Sequence, residues 1–241
     1  MIFCLWLALF LGILNQNFNG QKADSYNRSL DIETGLAVTN FKIDGVNYKR
    51  EIFASAPAQC IVIKLSADQL KRLSVTLDAS SLLKNEKSTK DKYLVLKGKA
   101  PSHSDPNYID YNKEPVVYED STGCRGMRFE LIIKPVVKDG EISADGNKMV
   151  IKNASEILLF VSAATSFNGF DKCPDSEGKD EHKFAEAPIK KAVTKKYDVL
   201  LKEHIADFQK FFNRVSLQLN EKENNKSNLP TDIRLEQYAK G

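Results

Sequence analysis

From about Leu30 to Thr165 the apolar residues recur at every second position or in short runs, which is the spacing of strands. Leu36–Ile43 and Val46–Ala54 flank Asp44-Gly45. Asp-Gly between two alternating runs predicts a two-residue hairpin, because a type I′ turn needs two residues that accept positive φ. In that register Ile43 faces Val46 and Phe41 faces Tyr48, so apolar side chains pair on one face. Lys42 and Asn47 fall on the other. Further strands are expected at Cys60–Leu65, Leu73–Leu77, Tyr93–Leu96 and Met127–Val137, and around Met149–Ile151 between Asp139-Gly140 and Asp145-Gly146. Ile157–Val161 is continuously apolar, as in a strand covered on both faces. Lys84–Asp91 is polar and reads as a surface loop. Ala100–Glu119, with Pro101, Pro106 and Pro115, reads as a long irregular loop. A loop of that length raises the prior for an interface or functional role.

The period changes after Asn168. Residues 168–183 are polar and turn-rich. Ile189, Val193, Tyr197, Leu200, His204, Phe208 and Phe211 then follow at three- or four-residue intervals, one stripe of an amphipathic helix over about 187–212 with Pro188 near its start. Phe212 and Ile205 widen the stripe. Val215–Leu219 alternates like one more strand, Glu221–Asn228 reads as a polar linker, and Leu229-Pro230-Thr231-Asp232 opens a second helix. The fold class is therefore mainly β: a partial antiparallel β-sandwich followed by C-terminal linker helices. The expected organisation is a signal peptide over 1–23, the partial sandwich over 24–170, and a linker region over 171–241.

The signal-peptide expectation rests on Ile2–Leu14, which is almost wholly apolar but too short to span a bilayer. The chain would then be exported, periplasmic or extracellular, with no membrane contact after signal removal. Cys60, Cys124 and Cys173 would remain. Cys60 lies in an apolar run and reads as a small buried residue. Cys124 and Cys173 lie in turn-rich segments, and the sequence leaves open whether they pair.

Composition adds little. The 241 residues are 42% hydrophobic and 28% charged, with a net charge of +3, so a packed core is expected. Scattered lysines give no basic patch, and no nucleic-acid partner is expected. Lys190-Lys191 and Lys195-Lys196 read as a solvated helix face. Gly-rich phosphate loop, nucleophile elbow and zinc spacing are all missing, so no catalytic, cofactor-binding or metal residues are assigned and no cofactor is expected. His103, His182 and His204 are far apart in sequence, and His204 on the apolar stripe reads as a core or interface histidine. The acidic stretch Asp171, Asp175, Glu177, Asp180 and Glu181 reads as a solvated loop ahead of any calcium site.

Several segments together carry a resemblance. They include Arg28–Thr34, Ile43–Ser55, Ile61–Leu65, Gly126–Phe129 and Ala164–Phe170, then His204–Gln209, Phe212–Leu217 and Leu229–Leu235. In this order they resemble the N-terminal domain and linker of glycoside hydrolase family 95, the inverting α-L-fucosidases. The resemblance implies a sandwich joined by helices to a catalytic α/α barrel, which would hold the catalytic acid and base. It also implies truncation at both ends, with unpaired edges and exposed apolar surface. The barrel is then the expected partner, glycans are a second candidate, and this chain alone is expected to be inactive. Tyr108, Tyr111 and Tyr118 are expected to pack their loop onto the sandwich or a neighbouring domain; stacking on sugar rings is the alternative. A free-standing carbohydrate-binding module and a structural envelope protein are the competing functions.

Overall fold

A computed structural model describes residues 14–16, 21–109, 111–118, 124–217 and 229–240. Among them, β1 (Leu14–Gln16) and β2 (Ser25–Asp31) lead into β3 (Leu36–Ile43), β4 (Val46–Ser55), β5 (Cys60–Ala67), β6 (Leu73–Leu77), β7 (Lys84–Lys90) and β8 (Tyr93–Lys99). A ribbon of β9 (His103–Ser104) and β10 (Val116–Val117) follows. Then come β11 (Arg128–Lys138), β12 (Glu141–Asp145), β13 (Lys148–Ala154) and β14 (Glu156–Thr165), and the helices α1 (Glu181–Ala192), α2 (Tyr197–Phe212) and α3 (Thr231–Ala239).

Eight strands form a large antiparallel sheet in the order β2-β3-β4-β5-β14-β11-β8-β7, and a smaller sheet runs β1-β6-β13-β12. Their facing surfaces bury one core, which includes Phe41, Leu65, Leu77, Leu131, Ile151 and Leu159. The other face of the large sheet buries a second core against α1 and α2, where Phe53, Val62, Ile132 and Phe160 meet Ile189 and Leu200. The middle of the large sheet is thus covered on both sides. That is why Ile157–Val161 is continuously apolar: Ile157, Leu159 and Val161 enter the first core, Phe160 the second.

The Asp44-Gly45 hairpin forms as expected. Both turn residues have positive φ (51° and 74°). Ile43 pairs with Val46 and Phe41 with Tyr48, their rings stacked 5.1 Å apart. The strands at Cys60, Leu73, Tyr93 and Met127 also form.

Three expectations are corrected. Residues 84–90 are not a loop but the edge strand β7, laddered to β8 from Lys84↔Lys99 to Lys90↔Tyr93. Its turn, Asp91-Lys92, has two positive φ values without glycine (52° and 60°), so the hairpin lacks its usual sequence mark. A charged strand suits an edge, where it discourages pairing with other chains. Second, the single helix over about 187–212 is two helices. α1 begins at Glu181, where the Asp180 carboxylate accepts from the Lys183 backbone N–H, and Pro188 lies inside it. The chain turns at Val193–Lys196: the Thr194 hydroxyl donates to the Lys191 carbonyl, and Lys196 is extended before α2. The stripe persists across the turn because both helices lie on the same sheet. Third, residues 215–217 form no strand, and Val215 and Leu217 are exposed. Residues 218–219 and the linker at 221–228 lie outside the described residues.

Residues 1–13 of the expected signal peptide also lie outside the described residues, but Leu14–Gln16 pair with Val75–Leu77 of β6. The end of the apolar run is therefore part of the small sheet. No helix among the described residues is long and apolar enough to cross a membrane. At the other edge of the large sheet, β2 is exposed along its whole length, and Tyr26, Leu30 and Ile32 are in solvent.

Candidate domain interface

The most distinctive side-chain arrangement is an aromatic ladder climbing α2 from the second core toward solvent. Phe53 of β4 stacks on His204 with centroids 4.8 Å apart; His204 meets Phe208 at 5.9 Å, and Phe208 stacks on Phe212 at 5.7 Å. His204 is 4% exposed, and its Nε2 lies 2.9 Å from the Thr34 carbonyl, as expected of an interface histidine with one satisfied bond. That contact fixes the turn between β2 and β3 against the helix. Gln209 donates to the Glu33 carbonyl at 3.4 Å in the same place. Gly35 makes the approach feasible: its φ is +64°, and a Cβ there would stand 3.2 Å from the Phe208 ring and 3.3 Å from His204 Nε2.

The ladder opens into a cleft of roughly 440 Å3, lined by Ala54, Ala56, His204, Asp207, Phe208, Phe211 and Phe212. Phe211 is 62% exposed, and the Arg214 guanidinium lies 4.9 Å from its ring centroid. A second shallow cleft, lined by Pro57, Glu203, Ala206 and Lys210, shares Ala56 and Asp207 with the first. α2 thus buries one side and leaves an aromatic edge open on the other.

The first turn of α1 is held by charge. Arg128 of β11 donates from Nε to Glu181 Oε1 at 3.0 Å and from Nη2 to Oε2 at 3.1 Å, a fork-to-fork pair. Glu181, then Asp175, hold the guanidinium pKa above its ordinary value. Arg128 also donates to the Asp175 carbonyl, and Lys99 and Arg125 pair with the Asp175 carboxylate at 3.5 and 3.8 Å. Two residues on, fully buried Glu130 lies 2.6 Å from His182 Nδ1 and 3.5 Å from Lys97 Nζ. Within the acidic stretch Asp175 and Glu181 are paired and Asp180 caps α1, while Asp171 and Glu177 are exposed, as expected of a solvated loop. Among the described residues, no three His, Cys, Asp or Glu side chains are grouped to hold a metal ion. A disulfide between Cys124 and Cys173, with Cα atoms 5.4 Å apart, ties the segment before β11 to this loop. Cys60 is a buried free thiol, pushed up to about 11 by burial. Burial likewise raises the Tyr197 phenol.

The loop after β8 is braced at its base. The Ser102 backbone N–H and hydroxyl both donate to the Val117 carbonyl, and the Asp105 N–H donates to the Pro115 carbonyl at 2.8 Å. Asp105 lies 2.7 Å from His103 Nε2 and accepts from the Asn112 amide at 2.6 Å; these two contacts hold its carboxyl below the usual range. Tyr118 packs as expected: its hydroxyl accepts from the Lys84 N–H, and Lys84 Nζ sits 4.4 Å over its ring. Tyr108 and Tyr111 do not pack on the sandwich; they are 81% and 83% exposed.

Sequence reasoning found the helix stripe and His204 but missed Gly35 and Arg128. The Thr34-Gly35 pair is a turn signal for the first. Nothing local marks Arg128, whose partners are 46 to 53 residues away.

Residues 8–169 match the family described as glycosyl hydrolase family 65, N-terminal domain, a span that includes every strand of both sheets. The chain belongs to this family of N-terminal domains. Residues 196–241 match the catalytic domain of glycosyl hydrolase family 95, so α2 and α3 fall within that second match. Among curated proteins, this glycosyl hydrolase N-terminal domain is similar to alpha-L-fucosidase 2 of Arabidopsis thaliana, 29% identical over 219 residues, covering 87% of this chain and 26% of that protein. It is also similar to a probable alpha-fucosidase A of Aspergillus oryzae, 24% identical, covering 82% of this chain and 26% of the other. The chain thus spans about a quarter of the length of these relatives. A putative kojibiose phosphorylase from the human microbiome shares the fold, with a TM-score of 0.52 at 12% identity over 85% of this chain and 28% of its own. The resemblance to family 95 is borne out by the catalytic-domain match and the fucosidase relatives.

Proposed function

We propose that this chain is the non-catalytic N-terminal sandwich of an exported glycoside hydrolase, one that removes terminal α-linked fucose or a similar sugar with inversion. Its role is to seat the catalytic domain. The observation that carries this reading is the double membership of α2. The helix falls within the catalytic-domain match, yet Tyr197, Leu200 and His204 are buried against the large sheet of the sandwich. One helix therefore belongs to both units, and its open edge of Phe208, Phe211 and Phe212 is the surface on which further catalytic-domain helices would pack. The Cys124–Cys173 disulfide supports export, because such bonds persist mainly in oxidising compartments.

The test is to join this chain to a family-95 catalytic domain and replace Phe208 and Phe212 by Asp. Soluble yield and thermal stability should fall, with fucosidase activity lost in proportion to folded protein. Unchanged stability would overturn the seating role, and an active, stable catalytic domain expressed without this chain would remove the need for it.

A further inference from the structure

Four phenylalanines are exposed among the described residues, Phe170 fully and Phe167, Phe184 and Phe211 by half or more. The strand registers bring all four to one end of the large sheet. Ala37 pairs with Ile52, Ser55 with Cys60, Ile61 with Val161 and Thr165 with Phe129. The turns after β2 and β4 and the loop after β14 therefore leave the sheet at the same end, and Phe167 and Phe170 stand on that loop. Phe184 lies in the first turn of α1, where Glu181 holds Arg128. Phe211 lies in the last turn of α2, which starts with Tyr197 beside Lys64 and finishes with Phe208 against Gly35. α2 therefore leads the chain out at the end where these rings gather.

The loop after β14 is held from both sides. Ser166 is fully buried; its backbone N–H donates to the Arg128 carbonyl at 2.9 Å, and its hydroxyl accepts from the Arg128 N–H at 3.0 Å. The Asn168 amide donates to the Glu177 carbonyl at 2.8 Å, and the Cys124–Cys173 disulfide ties the far side of the loop. Phe167 and Phe170 belong to neither core. Rings fixed in water by such a loop lose little freedom when a partner covers them.

The position of the loop indicates the partner. β14 runs past β5: Val161 pairs with Ile61, so Ala163–Thr165 extend beyond Cys60 by about 10 Å at strand spacing. β4, β5 and β14 are neighbours, which sets the loop roughly 10 Å to the side of β4, the strand whose Phe53 meets α2. Between them lies the β4–β5 turn, whose Ala56 and Pro57 line the cleft beside Glu203 and Lys210. That cleft is on the α1 side of α2, because Lys195 of the turn between the helices pairs with Glu203. α2 and the loop thus stand on either side of one seat.

We propose that the loop after β14, through Phe167 and Phe170, is a second docking site for the catalytic domain; this deepens, and rests on, the function proposed above. The argument for this occupant is continuity: α2 falls within the catalytic-domain match and delivers the chain to this end of the sandwich. A contact divided between the loop and the last turn of α2 fixes the orientation of the catalytic domain, which one helix edge would leave free to rotate.

Hydroxyl-radical footprinting tests it, on the full 241-residue chain and on that chain joined to a family-95 catalytic domain. Phe167, Phe170 and Phe211 should be oxidised in the chain alone, and all three should lose most of that oxidation in the joined protein. Tyr26, exposed at the other end of the sheet, should change little. Protection of Phe211 without Phe167 and Phe170 sinks the second site and leaves the seating role of α2 standing. Protection of none of the three sinks both. Rings already protected in the chain alone, together with a dimeric mass, would assign them to a second copy of the chain instead. The Phe167→Ser/Phe170→Ser variant gives an independent reading. The melting temperature of the 241-residue chain should not move, and that of the joined protein should fall by a few degrees. A fall in both proteins, or in neither, overturns the inference.

Discussion

Gly35 shows how one residue can set a contact between elements. It sits at positive φ where an L side chain is strained, and a Cβ would press on both Phe208 and His204. Gly35→Ala should therefore destabilise the chain by about 1–2 kcal/mol from the backbone conformation alone. Urea unfolding of the two chains side by side measures it; equal midpoints would mean that the turn relaxes without cost. Cys60 makes a different prediction, through pH. Its thiol is buried and titrates near 11 when folded, against an ordinary value of 9.0. Above pH 9 the unfolded chain loses this proton and the folded chain keeps it, so the unfolded state binds fewer protons and stability falls as pH rises from about 9 to about 11. Cys60→Ala should flatten that part of the stability profile. At pH 8 the native thiol should resist iodoacetamide and react only in urea; ready alkylation of the native chain would contradict its burial.

At the scale of elements, α1 is held both by its apolar side and by what meets its first turn. Arg128→Lys keeps the charge but loses the fork to Glu181, so a stability loss of about 1–3 kcal/mol is expected, measurable by thermal melting. The disulfide acts on the same region. Closing the 49-residue separation between Cys124 and Cys173 corresponds to about 4 kcal/mol in the chain-entropy picture. The Cys124→Ser/Cys173→Ser double variant should lose most of that, and melting under reducing conditions should match it. These features mark the limit of sequence reading. The strand at Ile157–Val161, the hairpin at Asp44-Gly45 and the stripe through Leu200 and His204 were legible because each is a local period or turn residue. β7 was not, because an edge strand needs no apolar face and its turn lacks glycine. The break between α1 and α2 was hidden because both helices present their stripe to one sheet. The aromatic ladder was half legible: spacing shows that Phe208 and Phe212 share a face, but only the fold shows that Gly35 and Phe53 meet it.

At the scale of the molecule, the family match and the folding unit do not end at the same residue. The N-terminal domain match stops at residue 169, which invites a cut at 170. That cut removes α1 and α2, and with them the cover over Phe53, Val62, Ile132 and Phe160 on the outer face of the large sheet. Burying a side chain of that size contributes roughly 2 kcal/mol. Exposing four would remove an amount comparable with the whole stability of an ordinary domain. Arg128 and Glu130 would also lose their partners Glu181 and His182. A chain ending at residue 170 should therefore be insoluble, or should bind a hydrophobic dye and melt without cooperativity. A chain ending at residue 217 should fold, because α2 is then complete and the large sheet stays covered. Size-exclusion chromatography and dye binding on the two chains decide it. If the shorter chain is monomeric and melts cooperatively, the helices belong energetically to the catalytic side alone. If only the longer one is, α2 is a structural part of the sandwich that the catalytic domain inherits.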